Sequence, residues 1–174
     1  MTTSSEGAGQ LREAARVAAA RSGDGRPVPP ALDRASIEHR LITMRKSVGQ
    51  LDSLGPVGRA RLESDPETGL VVERILALLI DLAFAINRHV SAAVLGEEPR
   101  TPAASFGAAE KAGLIDAELA THLTPPDGPH NVLVQLYLDT EPEEVTAVVS
   151  AARSGYREYV RQVADWITAR TPAG

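Results

Sequence analysis

The sequence predicts an all-α protein, an up-and-down helical bundle, and three observations carry that expectation. Apolar residues recur at steps of three and four along separate segments, the period of one helix face. Those segments are bounded by helix punctuation: Asp33 and Asp116 as N-caps, Pro66 as a first-turn proline, and Gly55, Gly96 and Gly113 just past the ends. Aromatic residues make up only 3% of the chain, so the core rests on Leu, Val, Ile and Ala, and the low aromatic and β-branched content of most segments disfavours strands.

The elements follow in order. Residues 1–30 stand apart as a flexible extension and linker: Met1 to Gln10 is rich in Ser, Thr and Gly, Leu11 to Arg21 is a short Ala-rich helix, and Gly23 to Pro30 is a linker. Residues 31–174 form the helical domain. Its first helix runs from an Asp33 cap to about Leu54, with Ile37, Leu41, Met44, Val48 and Leu51 as its stripe. The second runs from Pro66 to about Val94. Its centre, Ile75 to Ile86, is apolar almost all round, which makes this helix the expected buried spine. Shorter helices follow over 103–112, 116–123 and 130–138. The last begins at a capping box, Thr140-Glu-Pro-Glu143, and carries Val145, Val148, Ala152, Tyr156, Tyr159, Val163 and Trp166.

Composition limits the chemistry. With no cysteine, thiolate nucleophiles, disulfides and cysteine-ligated zinc are excluded. His39, His89, His122 and His130 are the only imidazoles, and no two have the i, i+4 spacing of a helical metal pair, so no metal or cofactor is expected. The N-terminus has no apolar signal region, and the most apolar run, Ile75 to Ile86, is about half a membrane span and holds Asp81. A soluble cytoplasmic protein with no membrane role is the expectation. A net charge of −5 is the wrong sign for gripping nucleic acid by phosphate contacts alone.

Residues 129–139, Pro-His-Asn-Val-Leu-Val-Gln-Leu-Tyr-Leu-Asp, carry the most specific pattern. They resemble the Arg-Asn-x-x-Val-His-x-Tyr signature of HepT-like toxins in the HEPN superfamily. Asn131, Val134 and Tyr137 match, the Arg position holds His130, and the His position holds Gln135. Other landmarks stand in the family's order: the apolar helix with Asp81, Gly96-Glu-Glu-Pro99, Ser105-Phe106, Glu110-Lys-Ala-Gly113 and the final capping box. The resemblance covers Asp33 to Arg170. It implies a dimerising helical bundle with two motif copies near one cleft, and metal-independent RNA cleavage. It also implies a nucleotidyltransferase antitoxin as partner, and a tyrosine, here Tyr137, that the antitoxin can AMPylate.

The two departures fall where the chemistry is most demanding. Cleaving RNA through its 2′-hydroxyl needs a proton acceptor, a proton donor and positive charge on the developing phosphorane. Gln135 cannot titrate. His130 is a partial cation near neutral pH and lacks arginine's bidentate fork. Nor can His130 stand in for a histidine at 135, because five helical positions turn a side chain by about 140°. Two readings of His130 follow: a rebuilt acid–base pair across a dimer, or a helix-start histidine without chemistry, and the second is preferred. Tyr137 is either a modification target or an amphipathic packing residue.

Three other candidates are weighed the same way. Arg34 to His39 is formally an Arg-x4-His string but lacks the Asn and Tyr context, and is read as surface. Asp81 is read as lining the cleft, against an alternative in which it is buried and salt-bridged to Arg88. Arg153, Arg157 and Arg161 make a basic stripe, read as a solvated face paired with Glu158 or Asp165. The resulting expectation is a binding or regulatory homodimer with little RNA cleavage. Its rivals are an endoribonuclease toxin using His130, neutralised through Tyr137, and a helical interaction module without a nucleic-acid role.

Overall fold

The computed structural model describes residues 30–124 and 142–170. The chain divides into two compact units, Met1–Ala31 and Leu32–Gly174, and the described residues belong almost wholly to the second. They form α1 (Arg34–Ser53), α2 (Arg59–Ser64), α3 (Pro66–Leu95), α4 (Pro102–Lys111), α5 (Ala117–Leu123) and α6 (Pro142–Ala169), with no strand among them. The helices expected over 11–21 and 130–138, and Thr140 of the capping box, lie outside the described residues.

Local chemistry explains the boundaries. The Asp33 carboxylate accepts the Ser36 N–H at 3.0 Å, and the Asp116 carboxylate accepts the Leu119 N–H at 2.8 Å, so each caps a helix start. At the start of α3, Asp65 accepts both the hydroxyl and the N–H of Thr68, and Pro66 occupies the first turn. After α4 the chain turns at Gly113, whose φ of 69° only glycine adopts freely. There Leu114 N–H reaches the Ala109 carbonyl and Gly113 N–H reaches that of Glu110, the two bonds of a Schellman turn. The sequence gives no sign of α2. Six residues are below the length at which a helix holds itself, and its N-cap, Gly58, supplies no side chain. It exists because it packs on α3 and α6, with neighbouring Val57 almost fully buried.

The core lies between α1, α3 and α6. Ile37, Leu41, Met44, Val48 and Leu51 of α1 are buried, as expected from their spacing. So are Ile75, Leu76, Leu79, Ala83 and Ile86 of α3, and Tyr156, Tyr159, Val163 and Trp166 of α6. The spine is nevertheless not buried all round. Helices α1, α2 and α4 pack on α3, yet Leu70 stays 63% and Val71 45% exposed, while Ala77, Leu78, Phe84 and Ala85 are half-buried.

One polar chain crosses this core. The Tyr159 hydroxyl donates to Asn87 Oδ1 at 2.7 Å, Asn87 Nδ2 donates to Ser105 Oγ at 3.2 Å, and Ser105 Oγ donates to the Pro102 carbonyl at 2.6 Å. It ties α6 to α3 and α3 to α4, and Phe106 meets the Tyr159 ring edge-on at 6.4 Å. One turn before Tyr159 on α6, α5 and α6 meet at Gly155, where a Cβ would lie 2.8 Å from Cδ2 of both His122 and Leu123.

Tyr159→Phe keeps the ring and removes one hydroxyl, leaving Asn87 Oδ1 without that donor in a fully buried setting. The expected cost is about 1–3 kcal/mol, read as a melting temperature lower by several degrees with unchanged helical content by circular dichroism.

Candidate functional site

Asp81 sits midway along α3, and its side chain is exposed. The expected alternative, a buried carboxylate bridged to Arg88, is therefore not what the fold makes. Arg88 instead pairs with Glu98 at 3.2 Å, and both are largely in solvent. The reason is geometric: Asp81 falls on the side of α3 that no other described helix covers, where a carboxylate keeps its hydration and needs no cation.

The same carboxylate acts on Tyr156 of α6. Burial pushes the Tyr156 hydroxyl well above its ordinary range, and the negative charge of Asp81 adds to that shift. Tyr156 also lines a partly open, mainly apolar pocket of about 160 Å³ between α3, α4, α5 and α6. Leu76 and Ile80 form its floor on α3, Phe106 its wall on α4, and His122, Leu123 and Thr124 its rim at the end of α5. A pocket of this size and lining accepts one flat or apolar side group and offers a neutral phenol at its wall. Tyr156 was legible in the sequence only as a member of the α6 stripe. Nothing in its spacing separates a pocket tyrosine from a core one. Asn87 was missed altogether, although its place between Ile86 and Val90 on the buried face of α3 marks it.

His130, Asn131, Gln135 and Tyr137 lie outside the described residues. Their segment, 125–141, connects α5 to α6, so it leaves from Thr124 at the rim of this pocket. The described histidines serve structural contacts where they have one: His89 Nε2 accepts the Asp33 N–H at 2.8 Å, and His122 Nε2 lies 3.1 Å from the Ala151 carbonyl, to which it donates. Among the described residues no group of three or more His, Asp or Glu is placed to hold a metal ion, and no helix is long and apolar enough to cross a membrane.

Of the Arg34-to-His39 string, His39 is exposed as expected, whereas Arg34 is part-buried and donates to the Ile167 carbonyl at the end of α6. Of the basic stripe, Arg161 pairs with Glu158 and Asp165 as its spacing predicts. Arg153 and Arg157 do something different. Both reach Asp52 on α1, and Arg153 also donates to the carbonyls of Leu51 and Gly55 at 2.8 and 3.0 Å. That places positive charge on the carbonyl end of α1, where the helix dipole favours it.

An all-α bundle built on one long central helix defines a fold class, and comparison with known proteins names it. The model of the family described as "Ribonuclease HepT-like" matches residues 44–163. The chain belongs to the HepT-like ribonuclease family, within the HEPN superfamily. A relative named tRNA nuclease HepT, from Aphanizomenon flos-aquae (strain 2012/KM1/D3), is 29% identical over 131 residues, 75% of this chain and 89% of that protein. Two solved structures share the fold. The cytosolic protein of unknown function YutE from Bacillus subtilis has a TM-score of 0.63 at 17% identity, covering 82% of this chain and 96% of that one. A toxin–antitoxin structure with AMP-PNP has a TM-score of 0.62 at 14% identity, covering 75% and 99%.

The groove between α5 and α6 supplies a pH-dependent test. Hydrogen bonds from Arg161 and then Gln162 hold the Glu158 carboxyl at about 2, below the ordinary 4.5. A carboxyl depressed in the folded state stabilises fully above its unfolded value and loses that contribution as pH falls toward the folded one. Glu158 is 40% exposed, so solvent screens the effect. Glu158→Gln is expected to flatten the fall in melting temperature between about pH 4.5 and pH 2, while leaving the neutral-pH helical spectrum unchanged. An unaltered acid limb in a thermal melt series would contradict this.

Proposed function

We propose that this chain is a HepT-like toxin–antitoxin protein whose ribonuclease motif is degenerate, acting as a cytoplasmic binding or regulatory homodimer with little RNA cleavage. The observation that carries the reading is Gln135 at the family's histidine position, reinforced by His130 at its arginine position. One change removes the titratable group and the other the fixed cation, so the acid–base and the charge-stabilising halves of catalysis fail together. Asp81, Asn131 and the altered pair His130 and Gln135 form the remnant site. Residues 1–30 are the flexible extension and 31–174 the domain.

The partner is a nucleotidyltransferase antitoxin, with Tyr137 as the side chain it modifies. The support is the shared fold with a protein in a toxin–antitoxin structure with AMP-PNP. A second reading, an active endoribonuclease using His130, is favoured by one observation: a relative at 29% identity is named a tRNA nuclease. RNA is the substrate class of this second reading; under the first it is at most a weak ligand.

The two readings separate in one assay. Purified protein is compared with His130→Arg plus Gln135→His on a mixed tRNA substrate. General acid–base catalysis contributes about 10²–10⁴-fold, so the double variant should cleave at least about a hundred times faster. Each single variant should recover little, because groups acting as a unit are not additive. If the unaltered chain already matches the double variant and His130→Ala abolishes cleavage, the degenerate reading is wrong and His130 is a working catalytic group.

A further inference from the structure

We infer that the open face of α3 is the surface on which a second copy of this chain docks, antiparallel and across a two-fold axis between Ala77 and Leu78. This rests on the homodimer reading above and specifies its interface.

The face is built on a seven-residue repeat. Glu67, Arg74, Asp81 and Arg88 follow one another at intervals of seven with alternating sign, and all four are exposed. Seven residues fall about 20° short of two full turns, so the four charges share one side of the helix. Between them lie three apolar pairs at the same interval, Leu70-Val71, Ala77-Leu78 and Phe84-Ala85, none of them fully buried. Leu70, at 63% exposure, and Val71, at 45%, are two of the chain's exposed large hydrophobics. The repeat extends over about 30 Å of helix.

Charge order chooses both the occupant and its direction. With the axis between Ala77 and Leu78, Arg74 meets the partner's Asp81 and Glu67 meets the partner's Arg88. Leu70 meets the partner's Ala85, large against small, and Val71 meets the partner's Phe84. The open groove beside Leu70 and Val71, bordered by Gln50, Ser53 and Leu54, leaves room for that ring. Each contact occurs twice, as a two-fold interface requires. A parallel pairing in register sets every charge against its own kind and is disfavoured. Neither Arg74 nor Asp81 has an ion-pair partner among the described residues, so both are available to the second copy. Arg88 rests on Glu98 at 3.2 Å, an exposed pair whose opening costs little.

The test uses the full chain in sedimentation equilibrium over a micromolar range. The unaltered protein is expected to be a dimer. Arg74→Glu and Asp81→Arg each place like charges opposite one another and should raise the dissociation constant by about tenfold or more. An equal mixture of the two variants should restore dimers, since each then offers the charge the other lacks, and Arg74→Glu with Asp81→Arg in one chain should do the same. Circular dichroism checks that the variants are folded; should a charge variant unfold, Leu70→Glu, at a solvent-facing position, is expected to weaken the dimer in its place. A dimer unaffected by Arg74→Glu or Leu70→Glu would overturn this interface while leaving the homodimer reading and the motif argument intact. A monomeric unaltered chain would overturn the interface and the homodimer together, and RNA cleavage by the motif variants would still be decided independently.

Discussion

The hydrogen bond from Tyr159 to Asn87 decides how α6 fits on α3. Both groups are almost fully excluded from water, and a buried amide or phenol left without a partner costs more than a made bond returns. The 2.7 Å contact therefore admits only one rotation of α6 against α3. Apolar stripes by themselves are forgiving, since leucine and valine tolerate sliding. The polar chain through Ser105 to the Pro102 carbonyl carries the same constraint into α4. The placement of Tyr156, three residues before Tyr159, beside Asp81 and the pocket follows from that single registration.

Charge performs a second, outer fixing. Arg153 and Arg157 stand one turn apart on α6 and converge on Asp52, while Arg153 also covers the last carbonyls of α1. At the other end of the same helix pair, Arg34 of α1 donates to the Ile167 carbonyl near the end of α6. Each helix thus has the free carbonyl end of its neighbour covered by a guanidinium. Two of the three arginines in the apparent basic stripe are accordingly spent on holding α1.

Much of this was legible in the residues. Caps at Asp33 and Asp116, the first-turn proline Pro66, and the stops at Gly96 and Gly113 are local chemistry, and local chemistry can be read from a string. Family membership was legible for another reason, an ordered set of landmarks around Asn131, Val134 and Tyr137. What escaped was whatever depends on the third dimension. Helix α2 is held by tertiary packing rather than propensity. The open side of α3 is marked by the charges at 67, 74, 81 and 88, but the apolar run around Asp81 draws a reading of the helix as buried all round. The alternative of a buried, salt-bridged Asp81 rested on its apolar sequence neighbours, yet on that side of the helix the side chain meets solvent. The motif residues themselves, beyond Thr124, are read from sequence alone.

Glycine 155 reaches further than the helix pair in which it sits. Helix α5 approaches α6 so closely there that a methyl group would require the His122 and Leu123 side chains to shift. Pro142 stands thirteen residues earlier on the same rigid helix, about 20 Å along its axis, and Thr124 lies one residue beyond Leu123 on the other side of the crossing. The relative placement of Thr124 and Pro142, the described ends of α5 and α6, therefore depends in part on a residue that has no side chain of its own.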